Sequence, residues 1–154
     1  ALLLLIGCLG LHLAQKHASG VFGAVAFAAS FLGTSLLVAV EWSNLFVLRA
    51  VAQTSPEVLK RLGESMLVTV GFASGAVLFM LGWLLLSASI WRSRVLPAWA
   101  AVTTAAGLVA IPALGATPLG QGGQIAGNVI FGVGLAGLGR AMMKTNDEGR
   151  ALTT

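Results

Sequence analysis

The side chains best suited to chemistry stand at an apolar-to-polar step, VAVEWSNLFVLRA, at residues 38–50. Glu41 and Trp42 follow about twenty apolar residues, and Arg49 comes about two helical turns after Glu41. Counting from Val21 at about 1.5 Å per residue puts Glu41 near the end of a crossing of about 30 Å. A deeper carboxylate could relay protons, but this position favours the point at which the helix leaves the membrane. Glu41, Trp42 and Arg49 remain candidate ligand-binding residues.

Histidine is the other residue type here that could coordinate a cofactor. His12 and His17 are five apart and share a helix face poorly. A single histidine facing a cavity or a partner can ligate haem or chlorophyll, so His12 is a candidate axial ligand. No metal site is predicted, because no acidic or thiol cluster lies nearby and Cys8 is the one cysteine. No other cofactor is predicted.

Catalytic motifs are missing from the sequence. It has no HExxH, no GxSxG and no Ser/His/Asp set, and no apolar segment carries a central Asp, Lys or Arg. The stretch GQGGQIAG departs from the phosphate-binding GxGxxG pattern, because Ile125 stands where the third glycine is needed. We therefore predict that the chain is not an enzyme. Its net charge of +4 indicates membrane topology rather than nucleic-acid binding.

Composition indicates a bilayer environment for these residues. The 154-residue chain is 57% hydrophobic and 9% charged, whereas soluble domains carry about 25% charged residues. The fold prediction is an all-α, polytopic transmembrane helical bundle of five helices, the first of them truncated. An additional N-terminal helix would make six in the full protein. The five segments are 1–14, 21 to about 52, 66–90, 97–116 and 125–143.

These segments are assigned to one transmembrane domain, residues 1–143, followed by a cytoplasmic polar tail, residues 144–154. An outer amphipathic segment at about 54–63 separates the second and third apolar segments. Thr54 or Ser55 can cap it, Pro56 suits its first turn, and Gly63 can end it. We predict that this short helix lies flat on the membrane surface.

Basic residues predict the orientation. Six cations fall on one side of a five-helix arrangement, whereas the opposite side carries three charges of each sign. The positive-inside rule then places the cationic side and the C-terminus in the cytoplasm. The predicted location is a bacterial inner (plasma) membrane. The six cations are Lys16, Arg92, Arg94, Arg140, Lys144 and Arg150.

Small residues suggest how the helices pair. Lipid gives no hydrophobic drive for helix association, so small residues that permit close backbone approach mark the contacts. Gly71 and Gly75 form a GxxxG pattern, which Ser74 and Gly82 extend. Asn128 is expected to hydrogen-bond between helices. These residues either close the bundle or dock a partner subunit.

Three stretches carry a resemblance: LLLLIGCLGLHLAQKHASGVFGAVAFAASFLGTSLLVAVEW, FVLRAVAQTSPEVL and GWLLLSASIWRSRVLPAWAA. They resemble small bacterial integral membrane proteins of a domain-of-unknown-function class, of actinobacterial type. The resemblance covers most of the chain and implies a six-helix bundle with both ends in the cytoplasm. It implies no activity and no functional residue.

Three functions follow as hypotheses. The first is a structural or accessory subunit of a larger membrane complex, with the lipid bilayer and other membrane subunits as partners and no nucleic acid. The alternative is a small carrier or binding protein for a lipid, quinone or other apolar ligand, held near Glu41, Trp42 and Arg49. The third is pigment or haem binding through His12.

Overall fold

Helices make up the regular structure in a computed structural model, which describes the backbone of residues 2–151 and the side chains of residues 2–144. No strand occurs among these residues, so the prediction of an all-α bundle is confirmed. Ala1, residues 152–154 of the predicted tail and the side chain of Arg150 lie outside what is described. The elements are α1 (Leu2–Trp42), a π-helical stretch (Ser43–Leu48), α2 (Arg49–Thr54), α3 (Pro56–Glu64), α4 (Met66–Ser93), α5 (Ala98–Gly115) and α6 (Gln121–Ala151).

The first helix is folded back on itself at Gly20. Gly20 has φ 54° and ψ −150°, a backbone conformation that is essentially restricted to glycine. Cys8 Sγ lies 3.1 Å from Ser30 Oγ, although 22 residues of straight helix would separate them by about 33 Å. Helix α1 is therefore a hairpin with a first arm, residues 2–19, and a second arm, residues 21–42.

The helices have the length and composition of membrane spans. Four stretches qualify, namely Leu2–Thr54, Met66–Ser93, Ala98–Gly115 and Gln121–Lys144. Because the first of them reverses at Gly20, the chain can make five passes, as the five apolar segments predicted. The second arm continues without a break through the π-helical stretch and α2 to Thr54. Leaving the membrane near Glu41 would therefore not end this helix.

The bundle has two ends with different composition. At the Gly20 end lie the hairpin turn, the loop between α4 and α5, and the C-terminal part of α6, since Phe22 lines a groove with Arg92 and Arg94. At the Glu41 end lie the start of the first arm, the end of the second arm and the start of α6, since Leu4, Glu41 and Gln124 line one cavity. Of the six cations that predict the orientation, those with described side chains lie toward the Gly20 end. The side of the membrane that the Gly20 end faces stays a prediction.

Residues 43–64 form a surface segment at the Glu41 end, and none of them is buried. Ser55 precedes α3 in a non-helical conformation, and Pro56 takes the first helical position, as predicted. Ser55 makes no side-chain cap, and α3 ends at Glu64 rather than at Gly63. A short helix, Pro56–Glu64, thus lies within the stretch assigned to the outer segment, and its place on the membrane surface stays a prediction.

Two helix layers make up the bundle. In one layer the hairpin packs on α4, where a Cβ on Gly82 would collide with the Ser30 backbone. In the other layer α5 packs on α6, where a Cβ on Gly134 would collide with the Thr104 backbone. Pro112 lies inside α5, which continues to Gly115 before it ends. Contacts between α4 and α5 join the layers, whereas α1 touches α6 sparsely.

Candidate functional site

A crevice separates the two layers where the first arm faces α6. Its outer half, at the Glu41 end, is a cavity of about 620 Å³. Its inner half is a cavity of about 510 Å³ between the first arm and α6. Leu4 and Leu135 line both cavities, so the two halves adjoin. We call the whole feature the crevice.

Polar groups occur at only one end of the crevice. The outer half is lined by three polar side chains, those of Glu41, Gln124 and Asn128, and otherwise by apolar residues or glycine. The described residues that line the inner half carry no charged side chain. The apolar lining of the outer half consists of Leu4, Leu37, Ala76, Phe79, Met80, Leu108, Ile111, Pro112, Phe131, Gly132 and Leu135.

Each polar residue comes from the end of a long helix. Glu41 is exposed at the end of the second arm, one turn after Leu37, which lines the same cavity. Gln124 stands in the first turn of α6, and its side chain packs close to Gly115 at the end of α5. Asn128 follows one turn later. The rigid helices thus hold three groups that can accept hydrogen bonds, two of which can also donate them.

Asn128 does not hydrogen-bond between helices as predicted. Its Nδ2 donates to the carbonyl oxygen of Gln124, 2.9 Å away in the same helix. The side chain is exposed and lines the crevice, because this part of α6 faces the gap between layers rather than a neighbouring helix. Its role is therefore to line a cavity rather than to join two helices.

Trp42 and Arg49 do not line the crevice with Glu41. The Trp42 ring is 60% exposed and packs at 5.4 Å, centroid to centroid, on Phe46 in the π-helical stretch. Arg49 is exposed at the start of α2, in the surface segment. The structure therefore brings Glu41 together with Gln124 and Asn128 instead. This grouping could not be predicted from local patterns, because it depends on how α6 is placed against the hairpin.

Three aromatic rings line the crevice where its two halves adjoin. Trp83 and Phe131 meet edge to face with centroids 5.5 Å apart, and Phe79 lies 6.4 Å from Phe131. Trp83 is 1% exposed and lines the inner half, whereas Phe79 and Phe131 line the outer half. Trp83 is therefore buried between the two halves of the crevice.

Trp83 is held by a polar ladder that sequence reasoning missed. Its Nε1 donates to Thr34 Oγ1 over 2.9 Å, and Thr34 Oγ1 donates to the Ser30 carbonyl over 2.6 Å. Ser30 Oγ in turn contacts Cys8 Sγ on the first arm. One sequence feature could have indicated this ladder, namely the two hydroxyl residues Ser30 and Thr34, four apart in an apolar segment. A buried indole N–H needs a hydrogen-bond acceptor, and such a hydroxyl can supply it.

His12 sits against an aromatic ring inside the hairpin. Its imidazole stacks on Phe27 with centroids 4.3 Å apart and planes 19° apart. Nδ1 is buried and has no hydrogen-bond partner among the described side chains and backbone. Among residues with described side chains, no group of three His, Cys, Asp or Glu residues could hold a metal ion. Haem or chlorophyll binding through His12 stays a prediction.

The predicted small-residue face of α4 is only partly used. Gly82 packs directly on the Ser30 backbone, and Gly75 is buried with Leu36 Cβ 3.7 Å from where its own Cβ would be. Gly71 has open space around it, and Ser74 is exposed with its hydroxyl donating to the Gly71 carbonyl. The GxxxG pair is therefore split, because the interface with the hairpin passes Gly75 and leaves Gly71 outside.

Among the residues with described side chains, Glu41 is the charged group that lines the crevice. No protein-family model, no curated protein and no solved structure matches this chain. The resemblance to small membrane proteins of actinobacterial type stays a prediction.

Proposed function

We propose that this membrane protein binds an elongated apolar molecule with a polar head, such as a lipid or a quinone, in the crevice. One observation carries the proposal: the described lining of the crevice is apolar along its length and has its polar side chains at the Glu41 end. Ligand cavities are typically apolar with a few polar groups that fix the orientation of the ligand. The distribution here matches an amphiphile whose head lies at Glu41.

The three polar groups define the head that fits. Glu41 accepts hydrogen bonds when ionised, while the amides of Gln124 and Asn128 both donate and accept. A hydroxyl or amine head can donate to Glu41, and a carbonyl oxygen can accept from either amide. A long-chain alcohol or amine uses the carboxylate best, because hydrogen bonds to charged groups are stronger than neutral ones.

The length of the crevice suits a chain that lies along the bundle. Its lining on α6 runs from Gln124 to Met142, which corresponds to about 27 Å of helix. This approaches the hydrocarbon thickness of about 30 Å. A bound chain would therefore lie parallel to the lipid chains outside and could exchange with them without crossing a polar barrier.

A second candidate is an accessory subunit whose partner fills the crevice with a transmembrane helix. The observation in its favour is that Gly7 and Gly139 line the inner half, and neither has an atom within 4 Å of where its Cβ would lie. Glycine permits close approach of a second helix backbone. This candidate predicts co-purification with another membrane protein at fixed stoichiometry from native membranes.

Fluorescence quenching tests the ligand proposal. The variant with Trp42, Trp91 and Trp99 replaced by phenylalanine leaves Trp83, which lines the inner half of the crevice. A long-chain alcohol that is brominated near the end of its chain should quench the fluorescence of Trp83, and this quenching should saturate at a low alcohol concentration. We expect Gly132→Leu, which adds bulk where Gly132 lines the outer half, to weaken this quenching at least tenfold.

The matched control is Val133→Leu, a residue of the same helix that is 53% exposed and lies outside the crevice lining. Its quenching should equal that of the parent. Glu41→Gln should weaken binding of the alcohol about tenfold, the loss expected for a hydrogen bond to a charged group, whereas Glu57→Gln on α3 should not. Equal quenching in Gly132→Leu and in the parent would overturn the proposal.

A further inference from the structure

A second concave feature lies at the opposite end of the molecule from the polar end of the crevice. It is a groove of about 410 Å³ at the Gly20 end. One wall is Phe22, two residues after the hairpin turn, and the other wall is the end of α4. The residues that line it are Phe22, Ala88, Trp91, Arg92 and Arg94.

The groove is cationic. Arg92 and Arg94 are both exposed, and neither forms an ion pair with another described side chain. The acidic residues with described side chains are Glu41, Glu57 and Glu64, and all of them belong to the Glu41 end. Lys16, in the last turn of the first arm, adds a further cation near the hairpin turn. An anion at the groove therefore meets two guanidinium groups and no competing carboxylate from the described side chains.

The backbone at Arg94 supports a role for its side chain. Arg94 has φ 54° and ψ 17°, and it is the one non-glycine residue with positive φ within the described part of the chain. Its N–H donates to the Ile90 carbonyl over 3.2 Å and so ends α4. Glycine or asparagine usually takes this left-handed position after a helix. An arginine that lines a groove here is a conformational outlier of the kind that marks functional positions.

The rest of the groove is apolar and lies at interface depth. Phe22 is 43% and Trp91 61% exposed, so both rings are available to a ligand. Exposed tryptophans at helix ends typically lie at the level of the lipid headgroups. An anionic head over Arg92 and Arg94, with its chain against Phe22 and Ala88, would satisfy both halves of the groove. A soluble anion would leave the apolar half without a partner.

We propose that this groove binds the phosphate of an anionic phospholipid. The guanidinium groups of Arg92 and Arg94 hold the phosphate oxygens, and the rings of Phe22 and Trp91 flank the start of the acyl chain. Basic pockets of this kind bind headgroups in the leaflet that is richer in anionic lipid, so we expect the Gly20 end to face that leaflet. This inference is independent of what occupies the crevice.

Native mass spectrometry of the detergent-solubilised protein tests the proposal with phosphatidylglycerol and phosphatidylcholine as probes. The parent should retain phosphatidylglycerol in preference to phosphatidylcholine. We expect the double variant Arg92→Gln/Arg94→Gln to bind phosphatidylglycerol at least tenfold more weakly. The control is Lys60→Gln/Arg61→Gln on α3, which removes the same two charges at the Glu41 end and should bind like the parent.

The variant Arg92→Lys/Arg94→Lys keeps both charges but loses the bidentate geometry of arginine. It should bind phosphatidylglycerol with an intermediate loss of affinity, and this remaining binding would show that substitutions at the two positions leave the protein folded. Equal weakening in the α3 control would show a bulk charge effect and overturn the proposal. Undiminished phosphatidylglycerol binding in Arg92→Gln/Arg94→Gln would also overturn it. Inorganic phosphate that displaces the lipid at equimolar concentration would overturn the assignment to a lipid.

Discussion

Helix α6 presents glycines on two faces, and the two faces behave differently. Toward α5, a Cβ on Gly127 would press on the Ile111 backbone and one on Gly134 would collide with Thr104, so this interface is closed. Toward the first arm, Gly139 has nothing within 4 Å of its Cβ position, and this side leaves the crevice open. The same residue type therefore gives a tight contact on one face and a cavity on the other.

The partner helix accounts for the difference. Helix α5 offers Thr104, Gly107 and small residues such as Ala100 to α6, so the backbones approach. The first arm lines the crevice with Gly7 and Gly10 but also with Leu3, Ile6 and Leu11, and we attribute the separation of the backbones to these larger side chains. A glycine closes an interface in lipid only when the opposite helix is also small at that level. Stability should then reside in the closed face and ligand binding in the open one.

The largest expected effect comes from adding one methyl group to each face of α6. Gly134→Ala should lower the free energy of unfolding by about 2 kcal/mol, because the added carbon overpacks a closed interface. Gly139→Ala should change it by less than about 0.5 kcal/mol, as expected for substitutions without close neighbours. The unfolding of both variants can be followed with a thiol-reactive fluorogenic dye. Cys8 is the one cysteine and is buried in the hairpin, so the dye reacts with it when the protein unfolds.

Similar destabilisation by the two alanine variants would contradict the contrast between the faces. It would mean that the first arm and α6 close on each other in the membrane. The ligand test would then decide the point independently, because a closed crevice could not admit the brominated chain to Trp83.

A smaller effect is expected at the aromatic group that joins the layers. Trp83→Phe keeps an aromatic ring near Phe131 but loses the N–H that donates to Thr34. We expect a loss of about 1 kcal/mol, because hydrogen bonds between membrane helices contribute about that much or less. The thermal midpoint in the Cys8 assay measures the loss.

Thr34→Val supplies the matching half of a double-mutant cycle. If the Trp83–Thr34 hydrogen bond is responsible, the double variant should lose less than the sum of the two single losses. Strict additivity would show that the two residues stabilise the fold through separate contacts, and that the ladder through Ser30 does not link the hairpin to α4.

Local patterns predicted most of the fold. Apolar segment lengths gave the passes of the bundle, and Pro56 marked the start of the surface helix. The chain reverses at a single glycine, Gly20, whereas the polar stretch around Lys16 suggested a longer connection between the first two segments. The π-helical stretch had no sequence signal.

The candidate site was predicted only in part, because it depends on the rotation of helices about their axes. Hydropathy does not fix that rotation when every face is apolar. Glu41 was identified from its type and position, whereas Gln124 and Asn128 join it only through the placement of α6. The same uncertainty explains why Gly71 and Gly82 seemed equivalent, although only Gly82 meets the hairpin.

An effect of similar size but opposite sign is expected for a polar residue inside the hairpin. Gln15 is 1% exposed, and neither its amide nitrogen nor its amide oxygen has a hydrogen-bond partner in the part of the chain that is described. A buried amide without partners is unfavourable by about 1–3 kcal/mol. Methionine has a similar shape and needs no hydrogen-bond partners. We therefore expect Gln15→Met to raise the free energy of unfolding by about 1 kcal/mol in the Cys8 assay.

Gln53→Met is the matched control, because Gln53 is exposed in α2 and should leave the midpoint unchanged. A stabilised Gln15→Met variant would show that close packing and polar satisfaction are separate properties of the hairpin, since the arms meet tightly around an amide that gains nothing from them. A destabilised variant would show the opposite, namely that the Gln15 amide contributes to holding the arms together. The closed interface would then depend on polar contacts as well as on small residues, and the contrast with the apolar crevice would be one of chemistry as well as of packing.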